Sequence, residues 1–178
     1  PRVAMVLRPH PLLTPTRLAT LTQALVAFQK ATDCCVLLLP FQPNGDRAIA
    51  EQVAAKLPGP HEILTNDNPA ELFGIFRGVE MAIGMRLHGL IAAAAEECRC
   101  FALSYDPKVD RLMAELDLPG WNLAELPLDA NAITRTWLEH YANDMALDPA
   151  RISSLADRAL LHRDLLCEAL VAKTPKQD

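Results

Sequence analysis

The chain has 178 residues, a mass of 19.5 kDa and a hydrophobic content of 51%, which is enough for one domain with a substantial core. Its formal net charge is −5 and only 5% of its residues are aromatic, so the composition argues against a nucleic-acid-binding protein. The five cysteines have no metal-type spacing, which favours a reduced, cytoplasmic setting. No apolar run reaches transmembrane length.

The first half of the chain alternates apolar runs with amphipathic stretches of helical spacing. The runs predicted as strands are residues 3–8, 34–39 and 61–64. Thr14 followed by Pro15 is typical of a helix start, and this first helix is predicted to reach Lys30. Asp46 is predicted to cap a second helix, and Asn68 is predicted to begin a short third helix through a capping box.

The second half continues the same alternation. Residues 81–85 and 100–104 are predicted as strands, and helices are predicted from residue 86, from the cap Asp106, over 129–145 and over 148–172. Residues 119–120 are predicted as a loop and residues 173–178 as a frayed tail. We therefore expect one domain over residues 1–178, with its core in about residues 1–145.

Strands that alternate with helices predict an α/β fold, a doubly wound parallel sheet with helices on both faces. Such Rossmann-like sheets bind ligands at the carboxyl ends of their strands. The sequence contains neither G-x-G-x-x-G nor G-x-x-x-x-G-K-[ST], which excludes the usual dinucleotide and P-loop motifs.

Cationic residues follow three of the predicted strands. Arg86 and His88 stand at the start of a helix, where the positive end of the helix dipole disfavours a cation unless an anion binds there. Arg8 ends the first strand and Lys108 follows the fifth, so all four are expected at one edge of the sheet. Guanidinium and ammonium groups beside a histidine suit a small polyanion that carries phosphate.

Each candidate also has a plain structural interpretation. Arg86 could form a salt bridge with a neighbouring acid, and His88 could be a core histidine that bonds a carbonyl group. Arg8 could be a surface arginine, and Lys108 could pair with a nearby aspartate. Asp106 is predicted as a helix cap rather than a catalytic acid.

Two motifs resemble the polysaccharide pyruvyl transferases of the CsaB type. They are M-R-L-H-G-L-I-A-A-A-A at residues 85–95 and L-S-Y-D-P-K-V-D at residues 103–110. Residues 6–11, 40–42 and 67–72 are also similar to that family's layout, and the resemblance extends over residues 3–116.

The resemblance implies one half of a glycosyltransferase-B-like architecture, the C-terminal donor-binding half, without the acceptor-facing N-terminal half. Its implied reaction moves the pyruvyl unit of phosphoenolpyruvate onto a sugar, forms a cyclic ketal and releases phosphate. His88 and Arg86 are implied as catalytic, with His88 either protonating the methylene carbon or bridging to the leaving phosphate. Arg86, Lys108, Arg8 and Gly89 are implied as substrate-binding residues.

The resemblance further implies no cofactor beyond phosphoenolpyruvate as donor, no metal, and a carbohydrate acceptor of a cell-wall polysaccharide or exopolysaccharide. It leaves open whether the acceptor is lipid-linked, and whether the cytoplasmic protein lies at the inner face of the membrane. The isolated half is expected to be inactive or incomplete. Two alternatives stay open: the donor-binding half of a nucleotide-sugar glycosyltransferase, and a non-catalytic binding domain.

Overall fold

The computed structural model describes residues 1–42, 45–65, 69–143, 148 and 150–154. The described strands are β1 (Arg2–Val6), β2 (Cys35–Leu38), β3 (His61–Ile63), β4 (Met81–Gly84), β5 (Arg99–Ser104) and β6 (Gly120–Asn122). The described helices are α1 (Pro15–Thr32), α2 (Asp46–Ala54), α3 (Pro69–Phe76), α4 (Leu87–Ala95), α5 (Pro107–Leu116), a 3-10 turn (Leu123–Glu125) and α6 (Ala130–Ala142). Within this part of the chain, none of the helices is long and apolar enough to cross a membrane.

All six strands form one parallel sheet in the order β3-β2-β1-β4-β5-β6. Side chains of α1, α2 and α6 join the hydrophobic core on one face, and those of α3, α4 and α5 join the core on the other. The helices change face where the strand order reverses, as right-handed crossovers require. The predicted doubly wound α/β fold is therefore confirmed.

Alternate residues of each strand supply the two cores. Met5 and Ile83 point to the face of α1, whereas Ala4 and Ala82 point to the face of α4. Because α4 is itself rich in buried alanine, its small side chains pack against the small side chains of β1 and β4, and the helix lies close to the sheet.

The predicted helix caps Thr14 and Asp106 are confirmed by hydrogen bonds, and Asp129, predicted as the first residue of a helix, is the N-cap of α6. Thr14 accepts from the N–H of Arg17 (3.3 Å), Asp106 from Lys108 (2.8 Å) and Asp129 from Asn131 (2.9 Å).

The predicted cap Asp46 is wrong, since Gly45 holds the N-cap position of α2 and Asp46 is the first helical residue. The Asp46 carboxylate is instead bonded elsewhere, as described below. The predicted capping box that begins at Asn68 lies outside the described residues.

β6 replaces the loop that was predicted near residues 119–120. Its short G-W-N sequence has little strand signal of its own, and it forms by pairing with β5, where Ala102 faces Gly120. A Cβ atom at Gly120 would lie 2.2 Å from the carbonyl oxygen of Ala102, so this close approach requires glycine. Asp148 accepts from the N–H of Ala150 (2.9 Å) at the start of the last predicted helix, whose residues 155–172 lie outside the described part of the chain.

Candidate functional site

The strand order reverses between β1 and β4, which makes their carboxyl ends the switch point of the sheet. The N–H of Met85 donates to the carbonyl oxygen of Val6 (2.8 Å) and holds these two ends together. Arg8 follows β1 and Arg86 follows β4. Both predicted arginines therefore flank the position at which open α/β sheets bind ligands.

Arg86 forms a bidentate ion pair with Asp46, a residue that follows β2. Its Nη2 atom lies 2.6 Å from Oδ1 of Asp46 and its Nε atom lies 3.0 Å from Oδ2. Nη2 also donates to Oε1 of Gln42 (3.1 Å). The salt-bridge interpretation of Arg86 is thus observed, but Nη1 makes no hydrogen bond within the described residues and remains available to a ligand.

Asp46 is the residue of this site that the sequence did not reveal. Its side chain is only 1% exposed, and Oδ2 accepts from the backbone N–H groups of Phe41 and Gln42 (both 3.1 Å) in addition to Arg86. The carboxylate therefore fixes the loop after β2 and the Arg86 guanidinium together. The signal for Asp46 in the sequence was its position after a predicted strand, which places it at the same edge of the sheet as the predicted cations.

The start of α4 offers backbone N–H groups to an anion. Arg86 occupies the N-cap position without a side-chain capping bond, and the first turn contains no acidic residue. The first intrahelical bond runs from Leu90 N–H to the Arg86 carbonyl oxygen (3.0 Å), so the preceding N–H groups lack helical partners. These groups and the helix dipole favour a negative ligand.

His88 is exposed in the first turn of α4, and its ring makes no hydrogen bond within the described residues. It is therefore not the core histidine of the alternative interpretation. An exposed imidazole at the carboxyl edge of the sheet can donate a proton to a bound ligand.

Gly89 is buried where α4 meets the loop after β2. A Cβ atom here would lie 3.2 Å from Cζ of Phe41 and 3.3 Å from Cγ1 of Val6, both tighter than ordinary contacts. The glycine thus lets the start of α4 approach the end of β1. Close packing explains the absence of a side chain, and the predicted ligand contact can come only from its backbone.

Lys108 lies in the first turn of α5, directly after β5. Its backbone N–H is bonded to the Asp106 carboxylate, but its side chain is exposed and forms no ion pair with Asp106 or Asp110. The paired-lysine interpretation is therefore not observed. Among the described residues its ammonium group has no ion-pair partner. A bound anion at this helix N-terminus would be stabilised by the ammonium charge and by the helix dipole.

Arg8 is half-buried against Tyr105 rather than extended into solvent. Its Nη1 atom donates to the Tyr105 hydroxyl group (2.9 Å), and its Cζ atom lies 5.3 Å from the centre of the tyrosine ring. The Arg8 Nε atom is buried and has no hydrogen-bond partner among the described residues. The ring of His10 packs on Tyr105 with 4.6 Å between the ring centres.

The fold brings the predicted cations to one edge. They follow the neighbouring strands β1, β4 and β5, whose spacing of about 4.8 Å places the outer two about 10 Å apart. Asp46 offsets the charge of Arg86, whereas Arg8 and Lys108 form no ion pair with an acid of the described residues. The edge therefore retains positive charge for a small, doubly anionic ligand.

A family model described as polysaccharide pyruvyl transferase matches residues 14–107, which is more than half of the chain. The matched range contains Asp46, Arg86 and His88; it ends one residue before Lys108, and Arg8 precedes it. No curated protein matches the sequence.

Proposed function

The chain belongs to the polysaccharide pyruvyl transferase family, and we propose that it is the donor-binding part of an enzyme that moves the pyruvyl unit of phosphoenolpyruvate onto a sugar. The reaction forms a cyclic ketal and releases phosphate. The observation that carries this proposal is the position of Arg86 and His88, which lie inside the matched range and at the switch point of the sheet. A companion domain would supply the carbohydrate acceptor site.

Phosphoenolpyruvate presents a phosphate and a carboxylate close together, so its site needs two cationic positions. Lys108 and the free N–H groups at the start of α4, Gly89 among them, bind the phosphate. The Nη1 atom of Arg86 binds the carboxylate, and Asp46 holds the guanidinium in place through the two other nitrogens. Arg8 adds a further positive charge at the same edge.

His88 protonates the methylene carbon of the bound donor, which gives the adjacent carbon oxocarbenium character. One sugar hydroxyl adds to that carbon, and its proton passes to the imidazole of His88, which restores the protonated form. The bond from that carbon to the phosphate oxygen then breaks, a second hydroxyl adds, and its proton leaves with the phosphate. Preorganised positive charge stabilises the departing phosphate, and a single such donor is worth about 3–4 kcal/mol by analogy with oxyanion-hole deletions.

Ligand binding by the 178-residue chain separates this function from its alternatives. At a hundred times its dissociation constant, phosphoenolpyruvate is expected to stabilise the protein by about 2.7 kcal/mol, which is measurable as a rise in melting temperature. Lys108→Ala should weaken this effect, whereas Arg111→Ala, which removes an exposed cation from the same helix, should not. Stabilisation by a nucleoside diphosphate sugar alone would favour the glycosyltransferase alternative, and no response to either ligand would favour a binding domain.

His88→Ala tests the chemical step in an enzyme that contains both halves. We expect transfer to fall by a factor of about 100–10,000, the usual contribution of a general acid. The melting temperature should stay unchanged, because the ring is exposed and makes no hydrogen bond within the described residues. Release of phosphate from phosphoenolpyruvate in the presence of acceptor measures the rate. Turnover at the parent rate would remove His88 from the mechanism.

A further inference from the structure

Within the part of the chain that the structure describes, the hydroxyl proton of Tyr105 has no acceptor. An arginine side chain carries only donors, so in the bond between Arg8 and Tyr105 the phenolic oxygen accepts. The hydroxyl group keeps its own proton, and it donates that proton to no acceptor among the described residues. The Nε atom of Arg8 is unpartnered too, so two donors at this position lack acceptors among the described residues.

The tyrosine is held in a fixed orientation by its neighbours. Arg8 lies over one part of the ring, and the His10 ring packs on it at an interplanar angle of 47°. His10 is itself fixed, since its Nδ1 atom accepts from the backbone N–H of Leu12 (3.2 Å). A donor that is already positioned loses little conformational freedom when a ligand binds.

The contact between Arg8 and Tyr105 spans the carboxyl end of β4. Arg8 follows β1 and Tyr105 follows β5, and β4 lies between these two strands in the sheet. Tyr105 packs against the core on the face of α1 and α6, whereas α4 begins on the opposite face. The end of β4 is therefore bordered by a helix N-terminus on one side and by this pair on the other.

We propose that Tyr105 is a substrate-binding residue whose hydroxyl group donates a hydrogen bond to the carboxylate of phosphoenolpyruvate, beside the guanidinium of Arg8. The assignment rests on the proposed function and adds a residue to its donor site. A carboxylate has about four lone-pair positions and can accept from Tyr105 and Arg86 together. In the proposed donor site the phosphate is bound by Lys108 and the start of α4. His10 is a positioning residue that acts through the tyrosine ring.

Tyr105→Phe tests the assignment because it removes the hydroxyl group and keeps the ring contacts with Arg8 and His10. Calorimetric titration of the 178-residue chain with phosphoenolpyruvate should show a dissociation constant roughly 10- to 100-fold higher than that of the parent, as expected for a lost bond to an ionised acceptor. Titration with inorganic phosphate, which lacks the carboxylate, should be unchanged.

Tyr141→Phe is the matched control. Its hydroxyl group donates to Glu80, which precedes β4 at the opposite edge of the sheet, so the same atom is removed far from the proposed site. Phosphoenolpyruvate affinity should stay at the parent value in this variant. The ligand-free melting temperature of Tyr105→Phe should fall only slightly, because the half-buried Arg8 loses one hydrogen-bond acceptor.

Two results would overturn the assignment. The first is phosphoenolpyruvate binding by Tyr105→Phe within twofold of the parent, and the second is equal weakening of phosphoenolpyruvate and phosphate. If the parent chain itself binds no phosphoenolpyruvate, the proposed function fails and the assignment of Tyr105 falls with it. That outcome is recognised in the parent titration alone, before any variant is compared.

Discussion

Replacing Asp46 by alanine should be one of the most damaging substitutions at the carboxyl edge of the sheet. The carboxylate is 1% exposed and holds two backbone N–H groups as well as the guanidinium of Arg86, whose side chain is itself only 13% exposed. Asp46→Ala leaves that guanidinium without its counter-charge in a mostly buried position. Removal of one partner from a buried ion pair costs about 3–5 kcal/mol, a large part of the 5–15 kcal/mol that stabilises a typical domain.

A double-mutant cycle distinguishes the ion pair from general packing loss. Arg86→Ala should cost about 3 kcal/mol, because it leaves the Asp46 carboxylate with only its two backbone partners. The double variant contains no uncompensated charge, so its loss should fall short of the sum of the single losses by at least about 1.5 kcal/mol. Urea unfolding near neutral pH, followed by the fluorescence of the buried Trp137, measures each free energy of unfolding.

The same helix offers a control for this cycle. Arg47 and Glu51 form an ion pair at 2.9 Å, but both side chains are 55% exposed. Their single alanine variants should each change the free energy of unfolding by no more than about 0.5 kcal/mol. A buried and coupled ion pair is contradicted if the losses from Asp46→Ala and Arg86→Ala simply add, or if they are as small as those of the exposed pair.

Two further predictions concern other parts of the fold. Gly120→Ala should lower the free energy of unfolding by about 2–3 kcal/mol, because its Cβ atom would overlap the Ala102 carbonyl oxygen. Gly74→Ala, with no atom within 4 Å of the new Cβ, should instead raise the free energy of unfolding by about 0.5 kcal/mol. Urea unfolding measures both changes. Burial, followed by the hydrogen bond to Glu80, raises the pKa of Tyr141 from 10.0 to about 12, so the folded state favours the neutral phenol. The resulting stabilisation is complete below pH 10 and is lost as the pH rises to about 12. Tyr141→Phe should remove this part of the pH dependence, which unfolding curves and tyrosinate absorbance over that range can check.

The fold class could be predicted because it depends on local patterns. Apolar runs of strand length, helical spacing between them and polar caps such as Thr14 and Asp106 are all readable along the chain, and their alternation leaves a parallel doubly wound sheet as the consistent architecture. The boundaries differ by only one or two residues at most strands. β6 was missed because three residues that include a glycine have no strand pattern, and they become a strand only when β5 provides the edge.

The positions of the cations could also be predicted, since a residue that follows a parallel strand must lie at the carboxyl edge of the sheet. This simple rule placed Arg8, Arg86, His88 and Lys108 together without coordinates. Their individual environments were not predictable in the same way. Arg86 is paired with Asp46, whereas Lys108 forms no ion pair with an acid of the described residues, although both are cations at helix starts.

Side-chain partners depend on which strands are neighbours, and the order β3-β2-β1-β4-β5-β6 is not written in any local pattern. Arg86 meets Asp46 across 40 positions of sequence, and Arg8 meets Tyr105 across 97. Each pair forms because the long-range pairing of the sheet brings distant loops to one edge. Local sequence patterns therefore predict which groups lie at that edge. The packing of the whole chain determines which of these groups form ion pairs with one another and which stay available to a ligand.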